Sequence, residues 1–385
     1  MKIKNTKRLD EKIFEYYLKN EVIFATQDLA SKIETEGIVF DSPCEVKECA
    51  EDFKKCMLEN NTFYSDDECL MGAMLCAVLE EMPKDITCKI LGVVLHNIVK
   101  SSRVLHKGAF EDNPYCKNIH FNGEKSGRFQ LANDKFDPYE LFIYDETKEI
   151  DGITIPQFAV FDHKFSFPAL REGDLTWMTV SPCEINTMQP SIDAARGNVL
   201  VLGLGLGYWP YMASRKPEVE HITIVEKEAD VIELFKKHIL PQFENKEKIT
   251  IIQADAHDYI NVVPDGKYDY CFADIWTGNT DTTSYIKLKF SCRRFEKMKV
   301  SYWIEESLIQ SILSTAFFVI SDEYFRTAGY SDSEEGEWLD SQISDDDRFA
   351  IDFLTYRLKN AVIERPAQFD YYMNPENIKQ LICNV

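Results

Sequence analysis

Hydrophobic positions follow three spacing regimes along the chain. Up to about residue 105 they recur at helical intervals: Ile13, Phe14, Tyr17, Leu18, Ile23 and Phe24, then Cys69–Met82 up to Pro83, then Ile90, Leu91, Val94, Leu95 and Ile98. The last two stretches predict a helical hairpin with a buried face, in which Cys76, Cys88 and His96 read as core residues. Asp52–Leu58 is a further helix candidate. From about Ala109 the spacing shortens. Leu141–Tyr144 and Phe158–Phe161 read as strands with Asp151-Gly152 as turn chemistry, and Phe165–Leu170 and Leu175–Val180 continue the β pattern.

The third regime runs from Asn198 to Asp274. Val199–Leu202 is a short apolar run, the mark of a strand buried on both faces. Gly203, Gly205 and Gly207 follow at alternate positions, and glycine allows positive φ and close approach of backbone to a ligand. A helix is expected over Pro210–Lys216, a strand over His221–Val225, and a helix over Ala229–His238. Strands Ile249–Gln253 and Tyr268–Ala273 complete the series, ending near Asp255 and Asp274. Strand and helix in alternation predict a parallel sheet, whose ligands bind beyond the carboxyl ends of its strands. Glu226, Asp255 and Asp274 all fall at such ends. A carboxylate about 20 residues after the glycines suits both hydroxyls of a ribose.

The glycine spacing separates cofactor classes. A dinucleotide fingerprint needs G-x-G-x-x-G, but the sixth residue is Tyr208 counted from Gly203 and Pro210 counted from Gly205. The pattern G-x-G-x-G resembles the first motif of class I S-adenosylmethionine-dependent methyltransferases. That resemblance implies a Rossmann-like α/β domain and S-adenosylmethionine as cofactor. It implies cofactor contacts from Gly203, Leu204, Gly205, Gly207 and Tyr208, ribose binding by Glu226 beside Lys227, and adenine contacts from Asp255 and Ala256. Asp274 would face the reacting centre, as base or as electrostatic partner of a cationic acceptor. Trp276 is placed to stack on the adenine or to cover the sulfonium.

Between Met188 and Trp276 the chain is most similar to the spermidine-synthase branch of that superfamily: GNVLVLGLGLG, EVEHITIVEKEADVIELFKKH, KITIIQADAHDYI and KYDYCFADIW. Two departures count against polyamine chemistry. Ile185, Asn186 and Thr187 stand where that branch carries Tyr-His-Glu, and no Asp-Pro follows Asp274. Glu184 and Thr187 are polar groups for either a pocket or a helix cap.

The expected organisation is a helical N-terminal domain (1–108), a small β-rich segment (109–190), the Rossmann-like domain (191–325) and an acidic loop with a helical cap (326–385). Within the last two lie a fifth strand near Lys299–Ile304, helices over Leu308–Ile320, Phe349–Val362 and near Asp370–Val385, and the acidic run Tyr330–Asp347.

Acidic residues outnumber basic ones, 65 to 43, for a net charge of −22. That argues against nucleic acid or an anionic membrane as partner and suits a small, amine-bearing or cationic substrate. The polar start MKIKNTKRLDEK lacks the apolar core of a secretory leader, and no apolar run has membrane-spanning length. With an odd count of eleven cysteines, the expectation is reduced thiols in the cytoplasm. Cys44, Cys49 and Cys56 lack metal-site spacing, and no metal is expected. The N-terminal helices leave room for a homodimer. The expected activity is methyl transfer. Aminopropyl transfer is the enzymatic alternative, and a non-catalytic nucleotide-binding or scaffold role is the third.

Overall fold

The computed structural model describes residues 1–37, 43–327 and 345–384. The acidic run Tyr330–Asp347 lies almost wholly outside them. The protein is an α/β chain with parallel strands, and it divides into two compact units: Lys19–Gln253, and Met1–Leu18 with Ala254–Val385.

In the first unit three helical faces build one core. Val22, Ala25, Leu29 and Ile33 lie on one side of helix Lys7–Glu36 at helical spacing. They pack with Met71, Met74, Leu75 and Val78 of helix Asp66–Glu80, and with Ile90, Val94 and Ile98. Phe158 and Val160 close the core from the neighbouring sheet. Helix Asp66–Glu80 starts at a full capping box, in which Ser65 Oγ accepts from the Glu68 amide and Glu68 accepts from the Ser65 amide.

Three sequence expectations fail here. Cys88 is exposed and Cys76 only half-buried. His96 is a surface residue whose Nδ1 lies 2.7 Å from the Tyr64 hydroxyl. For His96 the cause is local: between helices Lys84–Lys89 and Leu95–Ser101 the backbone makes a π turn, Ile90–Val94. One extra residue per turn rotates the helical face, so a regular count misplaces the residues beyond that turn. In helix Lys7–Glu36, Ile13 is buried, but Phe14, Tyr17, Leu18 and Phe24 are exposed.

The β segment holds two small sheets. Phe142–Ile150 and Ile153–Phe161 form the expected hairpin, with Asp151 and Gly152 at φ 54° and 75° as a primed turn requires. Arg103–Leu105 adds to it in parallel. The other sheet is antiparallel, in the order Lys125–Ser126, Phe129–Phe136, Phe165–Glu172, Leu175–Thr179. Helix Pro182–Ala194 follows, and there Thr187 Oγ1 donates back to the Cys183 carbonyl.

The unit ends in three parallel strands, Gly197–Leu202, Val219–Glu226 and Ile249–Gln253, with Val219–Glu226 between the other two. Helix Tyr208–Ser214 makes the first crossover. Val199–Leu202 are all buried, which is why the run reads as continuously apolar.

In the second unit, Tyr270–Ala273 and Lys299–Tyr302 pair in parallel. Helices Thr282–Cys292, Glu305–Thr327, Asp345–Leu358, Pro366–Tyr372 and Pro375–Cys383 bury a mixed aliphatic and aromatic interior. Two short helices stand at the carboxy end, where the sequence suggests one. Lys2–Ile3 pairs in parallel with Val362–Ile363, joining the two ends of the described chain.

Candidate functional site

The glycine turn is built by backbone that only glycine adopts without strain. Gly203, Gly205 and Gly207 have φ of 95°, 54° and 75°. The Gly203 amide donates to the Val225 carbonyl, and the Gly207 amide to the Leu204 carbonyl, each at 2.9 Å. Around this turn the side chains are close. A Cβ on Gly205 would sit 3.0 Å from Met178 Sδ, and one on Gly207 would sit 2.3 Å from the Phe235 ring.

Glu226 ends the adjacent strand and is buried. Its Oε2 accepts from the Leu204 amide at 3.1 Å, and its Oε1 accepts from the Glu228 amide at 2.8 Å. The carboxylate is therefore fixed against the glycine turn. A carboxylate offers about four lone-pair sites, two on each oxygen. Two are used, and one remains on each oxygen, which matches the two hydroxyls of a ribose. Lys227 is exposed beside it. Arg128 lies 3.3 Å from Glu228 and 3.2 Å from Glu172, tying the β segment to this strand end.

Tyr208 follows the last glycine and is buried, its hydroxyl accepting from Asn113 Nδ2 at 3.1 Å. Burial pushes its phenol up to about 12, so it stays protonated. The residues on the far side of the turn come from helix Pro114–Asn118, which the sequence pattern does not predict. Its signal is Asn113-Pro114. Asparagine at the cap accepts from the Tyr115 and Cys116 amides, and proline occupies the first helical position.

The remaining sequence-predicted residues belong to the second unit. Asp255 is exposed and caps helix Ala256–Val262: its Oδ1 accepts from the His257 and Asp258 amides at 2.8 and 3.3 Å. Ala256 is buried. Asp274 follows strand Tyr270–Ala273 and is half-buried. Trp276 is 5% exposed. Tyr302 stacks on it at 6.4 Å and Tyr285 meets it edge-on at 6.0 Å. Its indole N–H has no acceptor among the described residues. Nearby, Glu305 accepts from the Tyr285 hydroxyl and pairs with Lys289, each at 2.6 Å.

Among the described residues no cluster of His, Cys, Asp and Glu suits a metal, and no helix is long and apolar enough to cross a membrane. The residues at the glycine turn fit a nucleoside through backbone and carboxylate contacts.

No family model matches the chain, and no curated protein matches it significantly. Among solved structures it is similar to a putative O-methyltransferase from Klebsiella pneumoniae, at 14% identity and a TM-score of 0.22 over 28% of this chain and 48% of that one. It is also similar to the YcgJ protein of Bacillus subtilis, at 19% identity and 0.24 over 29% and 46%. Cofactor-bound Rv0187 from MTB gives 18% and 0.21 over 26% and 45%. In each case the chain spans less than half the length of the structure it matches.

Proposed function

We propose that this protein is an S-adenosylmethionine-dependent methyltransferase acting on a small or amine-bearing acceptor. The observation that carries the reading is the Glu226 carboxylate. It is buried and anchored by the Leu204 and Glu228 amides, and it keeps one acceptor site on each oxygen for a ribose. Three left-handed glycines at the adjacent turn support close approach of a nucleoside. The missing third glycine of a dinucleotide fingerprint argues against NAD.

The sulfonium of S-adenosylmethionine is a ready alkyl donor, so transfer needs alignment of donor and acceptor above all. In this reading Asp274 takes the proton released by an amine, or stabilises its positive charge. Asp255 and Ala256 contact the adenine, and Trp276 lines the cofactor. The acidic balance of the chain suits a cationic acceptor.

Calorimetric titration with S-adenosylmethionine, its decarboxylated form, S-adenosylhomocysteine and NAD tests the reading. Binding of the two carboxylate-bearing sulfur ligands supports methyl transfer. Preference for the decarboxylated ligand replaces it with aminopropyl transfer, since only the carboxylate differs. Binding of none overturns the cofactor assignment and leaves a scaffold role.

A further inference from the structure

Leu206 is the one residue between Gly205 and Gly207, and its carbonyl accepts a hydrogen bond from the Tyr115 hydroxyl at 2.5 Å. Tyr115 is completely buried. It comes from a helix 91 residues earlier in the chain, so this contact is tertiary. The Leu206 carbonyl and the Gly207 amide belong to one planar peptide group and point in opposite directions. The Gly207 amide donates to the Leu204 carbonyl at 2.9 Å. This peptide plane, with Gly207 in the left-handed region on its amide side, is therefore pinned at both edges. Without the outer pin, the flexible Gly207 would let that plane rotate more readily.

We propose that Tyr115 is a positioning residue for the cofactor turn, holding the Leu206–Gly207 peptide in the orientation that the nucleoside meets; this rests on the cofactor reading above. A turn already fixed before binding avoids the ordering cost of association. Tyr115 is held in turn by edge-on contacts with Tyr208 and Tyr211, at 5.6 and 5.3 Å. Asn113 and Asn118 donate to those two hydroxyls at 3.1 and 2.9 Å, fastening the short helix at both ends. Burial keeps the Tyr115 phenol protonated, so it remains a donor throughout the working pH range.

Two variants separate positioning from general support. Tyr115→Phe removes only the hydroxyl that reaches Leu206. Tyr211→Phe removes a hydroxyl that bonds Asn118 and the Pro114 carbonyl but not the turn. Tyr115→Phe is expected to weaken S-adenosylmethionine binding about ten-fold, the scale of one buried acceptor left unmade. It is also expected to speed hydrogen exchange at the Gly207 amide. Tyr211→Phe should leave both within about two-fold, a small fraction of one such bond. Equal losses in the two variants, or unchanged binding and exchange in Tyr115→Phe, would overturn the proposal. The Gly207 amide of the unsubstituted protein gives a test that needs no variant: exchange as fast as in an open loop also overturns it. These exchange readings need no ligand. A protein that binds no S-adenosylmethionine yet protects Gly207 through Tyr115 thus removes the cofactor reading and leaves the pinned peptide standing.

Discussion

Glu226 Oε2 accepts a hydrogen bond from the Leu204 amide at 3.1 Å, so the carboxylate at one strand end is locked to the glycine turn at the next. Cofactor affinity and local stability are coupled through this one side chain. Glu226→Gln replaces an acceptor oxygen with an amide donor, which then faces the Leu204 or the Glu228 amide. The expected cost is about 1–3 kcal/mol in unfolding free energy, the scale of one unmade buried hydrogen bond. S-adenosylmethionine affinity should fall about ten-fold or more as well. Chemical denaturation and calorimetry measure the two effects, and unchanged affinity would remove Glu226 from the ribose site.

The glycines separate by what surrounds them. Gly207→Ala forces a Cβ to 2.3 Å from the Phe235 ring while φ is 75°. Ring and backbone cannot both yield cheaply, so the expected loss is roughly 2–4 kcal/mol of stability, combining overpacking with left-handed strain. Gly205→Ala meets only Met178 Sδ, at 3.0 Å, on a flexible side chain. It should cost about 1–2 kcal/mol, mostly backbone strain, yet still reduce cofactor binding, because its Cβ occupies the turn. Melting temperatures that fall in the opposite order would contradict this packing.

Trp276 sits between two tyrosine rings with a buried donor unused among the described residues. Trp276→Phe loses ring volume but also removes an N–H whose burial costs free energy. The two effects oppose, so unfolding should change by no more than about 2 kcal/mol. If the indole serves a ligand, affinity for S-adenosylmethionine or turnover falls several-fold in the same variant. A variant that loses stability while binding and turnover hold would make Trp276 a core residue only.

The legible parts of this chain are those where local chemistry and tertiary packing agree. Asp151-Gly152 announces its turn because few other pairs tolerate two positive φ values. Val199–Leu202 reads as a central strand because both faces are covered. The glycines and Glu226 are legible through their spacing. The illegible parts are carried by contacts distant in sequence. Tyr115 is an aromatic residue in a five-residue helix, and nothing local marks its hydroxyl as the partner of Leu206. Met178 and Phe235 enter the glycine turn in the same way. His96 defies the sequence pattern because the π turn at Ile90–Val94 breaks the regular period from which burial is inferred.

An alternating chain of acids and histidines lies away from the glycine turn. His163 Nε2 lies 2.6 Å from Glu111 and its Nδ1 lies 2.7 Å from Asp162. Asp162 in turn lies 2.7 Å from His106 Nδ1, and Asp67 faces the other nitrogen of His106 at 4.0 Å. The bond to Asp162 raises His106. Partial burial pulls His163 down, but its hydrogen bonds to Asp162 and Glu111 outweigh this and raise it. Burial pushes Asp162 and Glu111 up, but the histidine contacts, with backbone amides for Glu111, bring both below their ordinary values. A raised histidine stabilises fully below its unfolded value of 6.5 and loses that contribution as pH rises through the folded value. A lowered carboxylate stabilises above its unfolded value, 4.5 for Glu111, and loses it as pH falls through the folded value. The network therefore contributes most between these two limits. His163→Asn is neutral at every pH, so its deficit in melting temperature against the unsubstituted protein should be largest near pH 5.5, about midway between the limits. It should shrink as pH rises above 6.5 through the raised histidine value, and as pH falls below 4.5 through the lowered carboxylate values. A deficit that stays constant across that range would mean that His163 acts through packing alone, because only the charged network carries a pH dependence.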